Sequence, residues 1–239
     1  MRLHHGFLLL LMTTTTAGCT STSAQGAAAV TSTATAVTVP TPVTAADAPT
    51  RAAPSPLRAV FLGDSYTVGF GSDDGGYVPD VAAQLGWQAT ALGQTGTGYV
   101  APSPTPGQAP YGARVAAVVA LDPDVVVVQG STNDFYVVDQ VDAAAQAVFA
   151  ELARELPGTP VVVVGPVMPQ NSDASLLTGV RNAVADAAGR SGLPFIDPIG
   201  AQWLEPTDGL YSIDGIHPND AGYAEFADDL VGALRGLGF

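Results

Sequence analysis

The feature that most constrains this chain is a short apolar run, Ala59-Val60-Phe61-Leu62, which stops abruptly at Gly63-Asp64-Ser65. A run with no polar alternation must bury both of its faces, and that is the condition of a strand inside a parallel sheet. Further short strand-like runs follow at 88–92, 125–128, Val161–Val164 and Phe195–Ile196. Between them, Tyr77–Leu85, 113–121, 141–156, 175–188 and 220–237 carry apolar residues at helical spacing. Strand and helix in strict alternation predict a three-layer α/β/α domain around a five-stranded, mostly parallel, flavodoxin-like sheet. The expected crossovers are right-handed and the expected strand order is 2-1-3-4-5.

This pattern begins only near residue 57 of a 239-residue chain. Before it lie two segments of other character. Arg2 precedes the apolar core Phe7-Leu8-Leu9-Leu10-Leu11-Met12, and small residues lead to Ala17-Gly18-Cys19, the layout of an export signal over residues 1–19. This resembles a bacterial lipoprotein signal, which implies lipidation of Cys19, although Thr16 stands where that pattern usually has an aliphatic residue. An ordinary secretory signal is the alternative reading. The apolar core is shorter than a membrane span. Residues 20–56 are almost wholly Ala, Thr, Ser, Val and Pro and lack the large apolar residues that offset ordering entropy, so they read as a disordered linker. The expectation is therefore a secreted or extracytoplasmic protein whose folded part, residues 57–239, is one domain.

Charge narrows the partners. The formal net charge is −14, the chain contains no lysine, and the first fifty residues contribute only Arg2 and Asp47, which cancel. The acidity thus belongs to the folded part. It repels a nucleic-acid backbone and disfavours docking of the fold itself on an anionic membrane, so membrane attachment is expected only through an N-terminal lipid. A single cysteine permits no internal disulfide. With only His4, His5 and His217 available, Cys/His zinc sites are excluded. Asp73-Asp74 in the 71–76 loop leave either a carboxylate calcium site or an acidic surface turn. No cofactor is expected, and the domain is expected to be a monomer.

Gly63-Asp64-Ser65 puts a hydroxyl at the carboxyl end of a strand, where open α/β sheets keep their chemistry. A serine nucleophile needs a base and donors for a developing oxyanion. His217 is the one histidine outside the leader. Asp214, three residues earlier in Asp214-Gly215-Ile216-His217-Pro218, is spaced to turn its carboxylate back onto the imidazole. The strand at 125–128 runs into Gly130-Ser131-Thr132-Asn133-Asp134, so Asn133 points to the same rim as Ser65, either as a donor or as a helix cap. The strand at 88–92 leads into Gly93-Gln94-Thr95-Gly96-Thr97-Gly98, which serves either backbone approach to a ligand or a tight turn. The proline-rich 102–110 loop either lines a cleft or is a stiff surface excursion. Gly-x-Ser-x-Gly, the nucleophile elbow of the α/β-hydrolases, does not occur.

Taken together, Gly63-Asp64-Ser65, Gly96, Gly130–Asp134 and Asp214–Pro218 resemble the SGNH (GDSL) hydrolases over essentially all of the folded part. The resemblance implies Ser65 as nucleophile, His217 as base and Asp214 as its orienting acid. It also implies an oxyanion hole of the Ser65 and Gly96 N–H groups and the Asn133 side-chain amide. The second block is the loosest match, since Gly93 and Gly98 flank Gly96 and the family's upstream asparagine is missing. Asp64 is expected to shape its own turn. The implied activity is hydrolysis of small-molecule or glycan esters, with small acyl groups on carbohydrate or short lipid esters as the expected substrates. An O-acyltransferase on the same site and a non-catalytic binding lipoprotein are the alternatives. Tyr66, Tyr99, Tyr136, Met168 and Trp203 are candidates for the pocket wall or for core.

Overall fold

The computed structural model describes residues 55–239 apart from 171 and 173, so the leader, Cys19 and most of the linker lie outside the described residues. Five strands, β1 (Arg58–Gly63), β2 (Gln88–Gly93), β3 (Val125–Gln129), β4 (Val161–Val164) and β5 (Phe195–Ile196), form one sheet in the order β2-β1-β3-β4-β5. Every pair is parallel, as the apolar runs require. The helices are α1 (Ser65–Val68), α2 (Tyr77–Leu85), α3 (Val115–Val119), α4 (Val138–Glu155), α5 (Ala174–Arg190) and α6 (Asp220–Gly236).

Side chains alternate across a strand, and here each alternation meets a separate helical layer. Ala59, Phe61, Val125, Val127, Val162 and Val164 pack against Val81 of α2 and Phe226, Leu230 and Leu234 of α6. Val60, Leu62, Val126, Val128, Val161 and Val163 pack against Val115, Phe149, Leu152, Val180 and Val184 of α3, α4 and α5. β2 differs: it lies at one edge of the sheet, and its residues are exposed or half-buried.

The structure departs from the periodicity at two places. The segment 113–121 is not one helix, because a 3-10 turn at Tyr111–Arg114 precedes α3 and the Arg114 side chain turns into the interior. A second 3-10 turn, Thr132–Tyr136, stands between β3 and α4. The sheet reverses its winding between β1 and β3, so the loops leaving those strands diverge and open a crevice at their carboxyl ends. Ser65 follows β1 and Asn133 follows β3.

Candidate active site

Ser65 opens α1 directly after β1 and is 6% exposed. Asp64 caps this one-turn helix, its Oδ1 accepting the Tyr66 N–H at 2.9 Å. Gly63 is required by proximity: a Cβ there would stand 2.0 Å from Thr67 Oγ1. Strand, turn and helix are thus pressed together, and the serine hydroxyl is held at the rim.

The loop before α6 delivers the histidine. Asp214 Oδ1 accepts the Ser212 hydroxyl at 2.8 Å, the Ile216 N–H at 2.8 Å and the His217 N–H at 2.9 Å. Its Oδ2 lies 2.7 Å from His217 Nδ1. Partial burial pushes the Asp214 carboxyl up, but these hydrogen bonds, led by that from the imidazole, outweigh it and hold the group well below the usual carboxylate range. A carboxylate accepting from Nδ1 leaves Nε2 as the free acceptor, and Nε2 lies 2.8 Å from Ser65 Oγ. Cross-links between the two loops keep this register. The Tyr66 hydroxyl donates to the Ile216 carbonyl at 2.5 Å, the Tyr223 hydroxyl donates to the Phe70 carbonyl at 2.9 Å, and the Phe70 ring lies 4.6 Å from the imidazole.

The loops after β2 and β3 meet beside this pair. Asn133 Nδ2 donates to the Thr97 carbonyl at 2.9 Å, which ties the amide to the residue following Gly96 and leaves its second hydrogen unused by that bond. Gly96 adopts φ +71°, a conformation suited to glycine. The N–H groups of Ser65 and Gly96 are engaged by no other described residue. Asp134 is buried, and its carboxylate accepts the N–H groups of Tyr99, Val100 and Ala101 at 2.8, 3.2 and 2.7 Å, so it shapes the second loop rather than the crevice.

Residues 61–225 match the GDSL-like lipase/acylhydrolase family. The chain belongs to this family. It is accordingly a carboxylic ester hydrolase. Among its relatives is a GDSL lipase of Mycobacterium tuberculosis, 29% identical over 188 residues that cover 71% of this chain and 78% of the relative. Among solved structures, an inhibitor-bound aryl esterase of M. smegmatis superposes with a TM-score of 0.61 at 18% identity, covering 76% of this chain and 99% of that one. A carbohydrate esterase family 2 enzyme of Corynascus thermopiles superposes with a TM-score of 0.62 at 22% identity, covering 80% of this chain and 69% of that one. At such identities the superpositions establish the fold.

In this GDSL-like hydrolase, some residues that organise the site carry no sequence signal. Arg114 is 7% exposed and donates to four oxygens: Ala109 O at 3.0 Å, Leu92 O at 2.6 Å, Gly63 O at 3.0 Å and Thr97 Oγ1 at 3.1 Å. One guanidinium thereby joins the ends of β1 and β2, the Gly96 loop and the proline-rich loop. Burial lowers its pKa, and no carboxylate pairs with it among its described bonds. Its only hint in the sequence is an arginine at the head of an otherwise apolar segment.

The proline-rich loop packs on the second block: Ala109 N–H donates to Gln94 Oε1 at 2.6 Å, and Pro104 Cδ lies 3.2 Å from where a Gly96 Cβ would stand. Asp73 and Asp74 form a tied turn, their N–H groups donating to Asp220 Oδ1 at 2.9 and 3.3 Å. No cluster of three or more metal-ligating side chains occurs among the described residues.

The pocket-wall candidates resolve differently from the serine and histidine. Tyr66, Tyr99 and Trp203 are buried in the core clusters, and Tyr136 is exposed. None of the five lines the apolar cavity beside the site. That cavity, of about 240 Å³, is walled instead by Asn133, Phe135, Pro169, Leu176, Leu177 and Ile216, among others. Their convergence joins three loops far apart in the chain, which residue type alone does not announce.

Proposed function

We propose that the protein hydrolyses carboxylic esters with Ser65 as nucleophile, His217 as general base and acid, and Asp214 as the group that orients and stabilises the imidazole. The observation that carries this reading is the unbroken relay Asp214 Oδ2–His217 Nδ1–Nε2–Ser65 Oγ, with contacts of 2.7 and 2.8 Å. His217 Nε2 takes the Ser65 proton as Oγ bonds to the ester carbonyl carbon. The oxyanion is received by the N–H groups of Ser65 and Gly96 and the Asn133 amide. The carbon–alkoxy bond then breaks and the leaving oxygen takes the proton from Nε2. Water, deprotonated by His217 Nε2, then bonds to the acyl carbon; the bond from that carbon to Ser65 Oγ breaks, the acid leaves, and Nε2 returns the proton to Oγ. An oxyanion donor of this kind is worth roughly 10²–10³ in turnover.

Small acyl groups on carbohydrate and short lipid esters are the two substrate classes in view, and the apolar cavity beside Asn133 favours the second. The acidic protein suits a neutral substrate. The reading extends to export and tethering by a lipidated Cys19, supported by the composition of residues 1–19 and the polar stretch to residue 56.

The test is hydrolysis of p-nitrophenyl acetate and butyrate by the wild type beside Ser65→Ala and His217→Ala. Both variants should lose turnover by at least about 10³-fold. Hydrolysis unchanged by either substitution would remove the assignment, and acyl transfer to an added sugar in preference to water would make the enzyme a transferase.

A further inference from the structure

We infer that Phe70 is a positioning residue for the base: its ring walls the solvent side of the His217 imidazole, holding it toward Ser65 and keeping water from its bond to Asp214. The inference rests on Ser65 and His217 being nucleophile and base. It adds a residue that acts through the imidazole.

Asp214 holds the imidazole by one edge, through Nδ1. A bond at one edge leaves the ring free to swing about it, and Nε2 then leaves the line to Ser65 Oγ. Packing against the ring must supply the remaining restraint. Two aromatic rings do so. Tyr66 lies 5.6 Å from the imidazole, inclined at 48°, and Phe70 lies 4.6 Å from it, inclined at 50°. Tyr66 is buried and its hydroxyl is taken up by the Ile216 carbonyl, so it forms the interior wall. Phe70 is 49% exposed, whereas the His217 side chain is only 14% exposed. Phe70 is therefore the ring that stands between the imidazole and water.

The backbone is built to place this ring. Phe70 stands between Gly69 at φ +79° and Gly71 at φ +90°. A Cβ on Gly69 would stand 2.4 Å from the Gly75 carbonyl carbon, and one on Gly71 would stand 2.8 Å from the Pro218 carbonyl oxygen and 3.0 Å from His217 Cβ. The segment thus presses directly on the histidine loop, an approach and a backbone conformation that glycine permits. Phe70 is pinned at both of its own backbone groups. Its N–H donates to the Ser65 carbonyl at 3.0 Å, and its carbonyl accepts the Tyr223 hydroxyl at 2.9 Å. Just beyond it, the Ser72 hydroxyl and the Asp73 N–H donate to Asp220 Oδ1 at the start of α6. Phe70 belongs to a rim of exposed apolar side chains that includes Ile213 and Ile216 of the histidine loop.

Water is the competitor at this site. It can accept the Nδ1 proton in place of Asp214, and it can come between Nε2 and Oγ. An apolar ring against the imidazole offers no hydrogen bond and lowers the local dielectric, which strengthens the bond to the acid.

The experiment compares the full-length wild type with Phe70→Ala and Phe70→Tyr on p-nitrophenyl acetate. Phe70→Ala should lower kcat by roughly ten- to a hundredfold, with KM nearly unchanged, and Phe70→Tyr should recover most of that loss. The melting temperature should barely move, because half of the residue is already in water.

Proton NMR of the free protein reads the cause. The wild type should show a far-downfield Nδ1–H resonance, identified by its disappearance in His217→Ala. Phe70→Ala should lose this resonance to exchange with water, and Phe70→Tyr should keep it. Undiminished kcat in Phe70→Ala, a fall in activity with the resonance intact, or a Phe70→Tyr variant as slow as Phe70→Ala each overturns the inference. The catalytic reading fails separately: ester hydrolysis retained by Ser65→Ala removes the nucleophile, while a resonance that depends on Phe70 would still stand.

Discussion

Asp64 sits one residue before the hydroxyl proposed as nucleophile, fully buried, with Oδ2 lacking a hydrogen-bond partner among the described residues. Burial pushes its carboxyl up to about 7, against the pull of the Tyr66 N–H bond. The sign matters for stability. A carboxyl whose folded value lies above its unfolded value is favoured while protonated, so the fold loses stability as pH rises from the ordinary carboxylate range to about 7. Asp64→Asn cannot ionise, and its amide oxygen still accepts the Tyr66 N–H. The melting temperature of this variant relative to wild type should therefore increase between pH 4 and pH 8, by the equivalent of a few kcal/mol at about 1.4 kcal/mol per pH unit. Calorimetric melts at a series of pH values check it, and a difference independent of pH would mean that Asp64 is ionised throughout. That this residue shapes its own turn is legible in the Gly63-Asp64-Ser65 motif. Its raised pKa is not, because burial is a property of what packs around it.

At the scale of elements, β1 and β3 were readable because their apolar runs admit no other environment. α1 and the turn at Thr132–Tyr136 were not, since a single turn carries too few residues to show a period. Arg114 belongs to this scale: its role is to hold two loops and two strand ends in one arrangement. It is a positioning residue, with no contact to the reacting atoms. Arg114→Lys keeps the charge but loses the planar fork and cannot reach all four acceptors. The loss of buried bonds should cost about 2 kcal/mol or more in unfolding free energy. A displaced Gly96 loop should lower kcat by roughly ten- to a hundredfold, with KM changed much less. Steady-state kinetics read the split, and guanidinium added to Arg114→Ala should restore part of kcat. A fall in stability with kcat intact would reduce Arg114 to a structural staple.

Across the whole molecule, a rim of apolar side chains and an acidic, lysine-free exterior coexist on one fold. The net charge of −14 acts as a whole on whatever approaches, whereas the apolar side chains of the rim act only locally. The N-terminal segment adds the question of place. If Cys19 is lipidated, a mass spectrum of the mature protein should show a chain beginning at that residue and carrying acyl chains. An unmodified chain starting beyond residue 19 would refute the anchor and leave ordinary secretion.

What the sequence determined by itself was the fold and a short set of candidate reacting groups. Runs apolar on both faces can be satisfied only between two helical layers. A single histidine outside the leader leaves one residue to serve as base for Ser65. These are local facts, written in neighbouring residues. The 2.8 Å contact between Nε2 and Oγ, the buried Arg114 fork and the cavity between Asn133, Leu176 and Ile216 were decided only in three dimensions. Each depends on loops separated by tens of residues or more, and their convergence is a product of strand order and packing.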